Sequence, residues 1–198
     1  MYEYRKMTPE QQIEIVQQRL ALGYPPHSPP RFARKGDTYL LTAACYEHYP
    51  FMISEERRVE LLDKLFEHLI TAGHEIDAWV VLPNHYHLLV CLATLEGLNR
   101  IFGLIHGGLS RKWNLEDNTL GRKMWEGFSD RAMRSEPHYY TTLNYIHYNP
   151  VKHGYVSSPY DWTRSSVHWY RKEFKRQWLR DLWCDYPVRQ YGKGWDDF

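Results

Sequence analysis

The run His85-Tyr86-His87-Leu88-Leu89-Val90-Cys91-Leu92 constrains the fold more than any other part of the chain. Past its head it is apolar without interruption, the pattern of a strand covered on both faces. Residues 75–82 form a second strand-like run, and only Pro83-Asn84 separates the two. So short a break, made of turn-forming residues, predicts a hairpin or a bulged antiparallel pair. Side chains alternate along a strand, so His85 and His87 share one face while Tyr86 points to the other. Two imidazoles at the head of a buried strand carry a desolvation cost unless they are hydrogen-bonded or hold a metal. Eleven histidines in the chain make an H-x-H pair weak on its own. A hydrogen-bonded structural pair is the competing explanation.

The remaining elements fall around that pair. Thr8, Pro9 and Gln11 are the capping signals of a helix over 8–22, and the proline-rich stretch 24–30 is an extended linker. Residues 38–45 are a first core strand, followed by a helix from 54 or 55 to about 71 that ends at Gly73. A mostly helical stretch spans 95–115, with Gly107-Gly108 expected to interrupt it. Residues 123–134 look like a short strand or a β-turn-β piece. A helix starts at Pro137 and runs through Tyr145 towards Asn149, where Pro150 is expected to end or bend it. The order β-α-β-β-α-β-α predicts an α+β, ferredoxin-like antiparallel sheet with packed helices. Three parts are expected: an arm over 1–35, a core over 36–168, and a basic aromatic tail over 169–198, loose from Gly192 onwards.

Composition narrows the function classes. A net charge of +1 argues against a protein that coats duplex DNA unspecifically, although local basic patches can still bind nucleic acid. Eight Trp and sixteen Tyr beside Lys and Arg suit stacking on unpaired bases, and equally an aromatic core. No apolar run is long enough to span a bilayer, and no signal-peptide core follows the start. Cys45, Cys91 and Cys184 make no C-x-x-C pair, which suits a reduced, cytoplasmic protein.

Tyr145 and Asn149 stand one helical turn apart and share a helix face. That helix can bring a phenol to a phosphate and an amide oxygen to a cation held by His85 and His87. The set suggests metal-assisted phosphoryl transfer on DNA with tyrosine as the attacking group. Two imidazoles and an amide should take Mn²⁺ at least as readily as Mg²⁺. Tyr139, Tyr140 and Tyr148 are rival nucleophiles on position alone, and Asn before Pro is often only a helix terminator.

These residues carry a family resemblance over roughly 36–168. Val81-Leu82-Pro83-Asn84-His85-Tyr86-His87-Leu88-Leu89 resembles the HUH motif of Y1 single-strand DNA transposases. Asn144-Tyr145-Ile146-His147-Tyr148-Asn149-Pro150-Val151-Lys152-His153-Gly154 resembles the tyrosine motif of one branch, the REP-associated tyrosine transposases. The stretch 124–134 and the W-x-x-S-S segment Trp162-Thr163-Arg164-Ser165-Ser166 are similar to further parts of that branch. The resemblance implies the HUH nuclease fold and a divalent metal, Mg²⁺ or Mn²⁺, held by His85, His87 and Asn149. It implies a Tyr145 nucleophile that forms a 5′-phosphotyrosine on single-stranded or hairpin DNA from repetitive extragenic palindromes. It also implies a monomer or homodimer acting on DNA in the cytoplasm, associated with the nucleoid.

DNA contacts are expected from Arg111, Lys112, Lys123, Arg131, Arg134 and Lys152, which flank the motifs in sequence. Two alternatives remain open at this point. One is a hairpin-binding protein without catalysis. The other is a metal-dependent hydrolase of small phosphoesters, in which Tyr145 has no role.

Overall fold

Strand β3 (His85–Leu92) is buried along its whole length. Its neighbours are β1 (Asp37–Cys45) on one side and β2 (Glu75–Val81) on the other, both antiparallel, and β1 pairs in turn with β4 (Trp125–Ala132). The sheet order β2-β3-β1-β4, with helices α1 (Glu55–Thr71) and α2 (Leu98–Glu116) as crossovers, is the ferredoxin-like arrangement. Helices α3 (Glu136–Lys152) and α4 (Val167–Asp185) follow the last strand. The structure is a computed structural model that describes residues 37–195 and, ahead of them, Thr8, Glu10, Glu14 and Gln17. The helix expected over 8–22 otherwise lies outside the described residues, as does the linker after it.

Strand alternation sorts the core into two layers. Leu41, Ala43, Tyr86, Leu88 and Val90 face α1 and α2 and pack on Leu65, Leu69, Phe102, Leu109 and Trp113. Leu40, Ala78, Val80 and Leu89 face the other way, onto Leu143, Ile146, Leu179 and Leu182 of α3 and α4. Each such side chain removed from water contributes about 1.5–3 kcal/mol.

Three expectations need correction. Helix α2 runs continuously through Gly107-Gly108. Its buried stripe Leu98, Phe102, Ile105, Leu109 and Trp113 packs on the sheet and outweighs a helix-propensity loss of about 1 kcal/mol per glycine. Helix α3 does not stop at Asn149, because Pro150 lies inside it. The stop signal is Gly154 instead, at φ +70°. The amide of Gly154 donates to Val151 O (3.0 Å) and that of Tyr155 to Pro150 O (3.0 Å), a Schellman termination.

The third correction concerns the C-terminal part, which is no loose tail up to residue 195. Helix α4 kinks at Lys175 (φ 69°) and packs Tyr170, Leu179 and Leu182 into the second layer. Asn144 of α3 donates from Nδ2 to Leu182 O (3.0 Å) and Tyr186 O (2.8 Å), which ties the two helices together. The boundary expected between 168 and 169 therefore falls inside this helix.

The segment ahead of α4 covers the outer edge of β2, which would otherwise expose unpaired backbone groups. Val80 bridges to Ser165, Val81 N donates to Arg164 O (3.0 Å), Ser166 N donates to Trp79 O (2.9 Å), and Trp162 Nε1 donates to Val81 O (3.0 Å).

Candidate active site

His85 and His87 project from the head of β3 towards α3, with ring centroids 5.0 Å apart. Both are fully buried. Each ring is oriented through its Nδ1. Asn84 Oδ1 lies 2.8 Å from Nδ1 of His85, and Thr42 Oγ1 lies 2.7 Å from Nδ1 of His87. Thr42 is the cross-strand partner of His87 in the β1–β3 register, so the sheet itself places that hydroxyl. With Nδ1 engaged on both rings, the two Nε2 atoms point into the space beneath α3.

Helix α3 delivers the rest. The Tyr145 hydroxyl lies 3.4 Å from His87 Nε2, and Asn149 Oδ1 lies 3.1 Å from His85 Nε2. Tyr145, Asn149 and His153 recur every four residues and so share one helix face. The His153 ring packs on His85 at 4.9 Å. The opposite face of α3 is held by His147, whose Nε2 lies 2.9 Å from Ser166 Oγ. Ser166 Oγ also accepts from Trp79 N (3.0 Å), so this contact ties α3 to β2. Complete burial holds His147 far below the usual imidazole range, at about 3, so it is neutral.

The residues suit a divalent cation. The Asn84 side-chain oxygen can only accept, so Nδ1 of His85 donates to it and Nε2 is the ring nitrogen turned to α3. Asn149 Oδ1 faces that nitrogen at 3.1 Å, close enough for both atoms to share one cation. Asn149 Nδ2 is buried without a hydrogen-bond partner among the described residues, so the amide is oriented by its oxygen. Among the described residues no cluster of three or more His, Cys, Asp or Glu could hold a metal, so a cation held by the two imidazoles would need the Asn149 amide as well. The Thr42→Val variant is expected to lose about 10- to 100-fold in Mn²⁺ affinity by titration calorimetry, because it removes the group that aims His87.

The phenol of Tyr145 is itself only 1% exposed. The chain past α4 lies over it. Tyr191 and Trp195 meet its ring edge-on at 5.6 and 5.7 Å, and Lys152 Nζ donates to Gly192 O (3.0 Å) beside it. Gly192 sits at φ +74°, and a Cβ there would collide with Cε2, Cζ and Cδ2 of the Tyr145 ring. Gly192→Ala is therefore expected to lift residues 188–195 from the phenol, with faster amide hydrogen exchange across that segment and little change in the sheet.

The basic residues singled out in the sequence divide between the two faces of the sheet. Arg131 and Lys152 come to the tyrosine. The Arg131 guanidinium lies 3.8 Å over the Trp195 ring, and Lys152 Nζ lies 5.4 Å from the centre of the Tyr145 ring. Exposed Arg134 precedes α3, and its backbone amide donates to His138 Nδ1 (3.3 Å). Arg111 and Lys112 sit on α2, across the sheet from Tyr145, and Lys112 is paired with Glu60 (2.6 Å). Lys123 pairs with Glu126 (3.2 Å) and lies over the Tyr46 ring.

The rival tyrosines are placed elsewhere. Tyr139 and Tyr140 are buried, with Tyr140 against Tyr186, and Tyr148 is exposed. The residue between the two histidines, Tyr86, crosses to the far face, where its hydroxyl is hydrogen-bonded to His106 Nε2 (2.9 Å). His106 is stacked on Trp125 and held at about 4 by burial, which keeps it neutral.

Sequence reasoning missed Thr42, His147, Ser166, Gly192 and Trp195 as parts of this site. His147 and Ser166 stood in recognised motifs, but without an assigned role. The others depend on cross-strand register or on contacts between distant segments, which leave no local signal.

No family model matches the chain. It is 35% identical over 96 residues to the REP-associated tyrosine transposase of Escherichia coli (strain K12), a match covering 48% of this chain and 54% of that protein. It is 31% identical over 104 residues to a Haemophilus influenzae protein provisionally given the same name, covering 48% of this chain and 59% of that one. The chain thus spans a little over half the length of these curated relatives. A solved structure of the REP-associated tyrosine transposase bound to a REP hairpin superposes with a TM-score of 0.54 at 24% identity, over 81% of this chain and 88% of that one. That likeness establishes the shared fold.

Proposed function

We propose that this chain is a REP-associated tyrosine transposase, a metal-dependent strand transferase that cuts single-stranded DNA beside a hairpin. One observation carries the reading. The Tyr145 hydroxyl, both imidazole Nε2 atoms and the Asn149 amide oxygen converge beneath α3, with separations of 3.1 and 3.4 Å. The curated relatives and the hairpin-bound neighbour of the same fold support it.

His85, His87 and Asn149 would hold the divalent ion, which polarises the phosphate and offsets charge on the departing oxygen. The chain's own part is to aim the nucleophile. Helix α3 fixes Tyr145 over the imidazoles, and the His147–Ser166 contact keeps the helix from rolling. The bond from the Tyr145 oxygen to phosphorus forms as the bond from phosphorus to the 3′ oxygen breaks. The protein is left on the 5′ phosphate, and the phenol's proton passes through solvent to the departing 3′ oxygen, which leaves as a hydroxyl. Lys152 beside the Tyr145 ring, and Arg131 over the Trp195 ring that packs on it, supply positive charge on this side for the DNA backbone. Because Tyr145 is covered by residues 188–195, DNA reaches it only when that segment moves.

A protein that merely binds hairpins has no need of this convergence, and a small-phosphoester hydrolase has no need of the phenol. The test is to incubate the protein with end-labelled hairpins bearing single-stranded flanks, with Mn²⁺, with Mg²⁺ and with chelator. A band that shifts by the protein's mass on a denaturing gel, and that needs the metal, is the expected result. Tight hairpin binding with no such band under either metal would leave only the binding reading.

A further inference from the structure

We infer that the rings of His153, Tyr155 and Trp162, with Arg58 at their far end, form a seat for unpaired bases of the DNA strand beside the candidate active site. This rests on the reading of that site as one that handles single-stranded DNA.

The series starts at the site itself. The His153 ring lies 4.9 Å from His85, Tyr155 lies 6.4 Å from His153, and Trp162 lies 5.4 Å from Tyr155. The Arg58 guanidinium lies 5.2 Å over the Trp162 ring. The path therefore leads away from the imidazoles on the side where His153 packs, which is separate from the Arg131–Trp195 contact on β4.

Its members are held in place before any ligand arrives. The Tyr155 amide donates to Pro150 O (3.0 Å) in the turn that ends α3, so the ring's position follows from the same helix that carries Tyr145. Trp162 is pinned by its indole N–H on Val81 O (3.0 Å). Arg58 is pinned by Met52 O (2.9 Å) and Ile53 O (2.6 Å). Rigid aromatic faces lose little entropy when a base stacks on them, and they accept any base because each base has a π face.

Exposure and charge favour the same ligand. Tyr155 is 42% exposed, although it lies within ring contact of half-buried His153 and Trp162. A ring that served only to fill the core would turn inward. The charges of Glu55 and Glu56 reach Arg58, but Glu55 is held by Arg164 and no salt bridge to Arg58 forms among the described residues. Arg58 keeps its charge at any working pH and can meet a phosphate. Aromatic platforms next to a fixed cation are the combination that recognises single-stranded nucleic acid.

The test uses full-length protein carrying Tyr145→Phe, so that binding is measured without covalent capture. Hairpins with 5′ and 3′ single-stranded flanks carry the fluorescent base 2-aminopurine at one flank position at a time. Quenching is expected at one or more positions on one flank only. Adding Tyr155→Ala should abolish that quenching and weaken binding of the flanked hairpin about 5- to 100-fold. Affinity for the same hairpin without flanks should be unchanged, and Tyr155→Phe should restore both signals because the ring is retained. Unchanged quenching and affinity in Tyr155→Ala, with flanked hairpins still bound, would overturn the seat while leaving the DNA reading intact. Equal loss of flanked and flankless binding would also overturn it, by showing that Tyr155 acts through the fold. Failure of the Tyr145→Phe protein to bind any of these DNAs would remove both readings together.

Discussion

Tyr145→Phe protein is expected to yield no covalent adduct with hairpin DNA under Mn²⁺, while binding the same DNA within about twofold of the unaltered chain. The substitution deletes one oxygen, which lies 3.4 Å from His87 Nε2. The ring stays, and with it the edge-on contacts to His87, Tyr191 and Trp195. Fold and helix packing should therefore survive, and a thermal melt should confirm that. The loss is of the nucleophile itself, so the adduct band should fall to background rather than weaken by a modest factor. Replacing the buried Tyr139 or Tyr140 should lower stability without this selective loss. An adduct that persists in the Phe variant would transfer the nucleophile to another tyrosine, with Tyr148 the exposed candidate on the same helix.

Acid should destabilise the fold over a window set by two buried imidazoles. His147 is held at about 3 and His106 at about 4, both by desolvation. In the unfolded chain both take up protons near pH 6.5. Between the folded and unfolded values the unfolded state binds more protons, so stability rises with pH there. The contribution is fully present above about pH 6.5 and is lost as pH falls towards 4 and then 3. Each imidazole contributes a slope of about 1.4 kcal/mol per pH unit inside its window. Urea unfolding at pH 7 and pH 5 should show a drop of about 2–4 kcal/mol from the pair. His147→Gln keeps a hydrogen-bonding group for Ser166 but cannot titrate. It should be less stable at pH 7 and should lose about half of the pH 7 to pH 5 difference. A variant with the full wild-type slope would mean that His147 is not kept neutral by its surroundings.

The elements that were legible in the sequence were those with strong local periodicity. β3 occupies its expected span, α1 begins and ends at its cap and glycine, and the order of strands and crossovers yields the antiparallel sheet. The errors came where local rules met tertiary packing. Gly107-Gly108 and Pro150 are weak points for an isolated helix, yet α2 and α3 bury enough apolar surface on the sheet to run through them. The chain past residue 169 is basic and aromatic, and nothing in that composition said that Tyr170, Leu179 and Leu182 would cover the second face of the sheet. Gly192 looked like the start of a loose end, and it is instead the one residue without a side chain that fits against the Tyr145 ring.

The basic residues teach the same point from the other side. Arg111, Lys112, Lys123, Arg131, Arg134 and Lys152 flank the motifs in sequence, but sequence neighbourhood does not say which face of a sheet a residue reaches. Lys152 stands beside the tyrosine and Arg131 over the Trp195 ring that packs on it, while Lys112 and Lys123 are spent in ion pairs elsewhere.

What the sequence determined by itself is which groups travel together. A two-residue repeat puts His85 and His87 on one side of β3 and Tyr86 on the other, and a 3.6-residue repeat puts Tyr145 above Asn149. Those relations are set by backbone geometry and need no partner. That the two faces meet at 3.1 and 3.4 Å, that Thr42 and Asn84 aim the imidazoles, and that residues 188–195 close over the phenol were decided by the tertiary structure. Such contacts join segments far apart in the chain and form only when burial of both sheet faces brings those segments together.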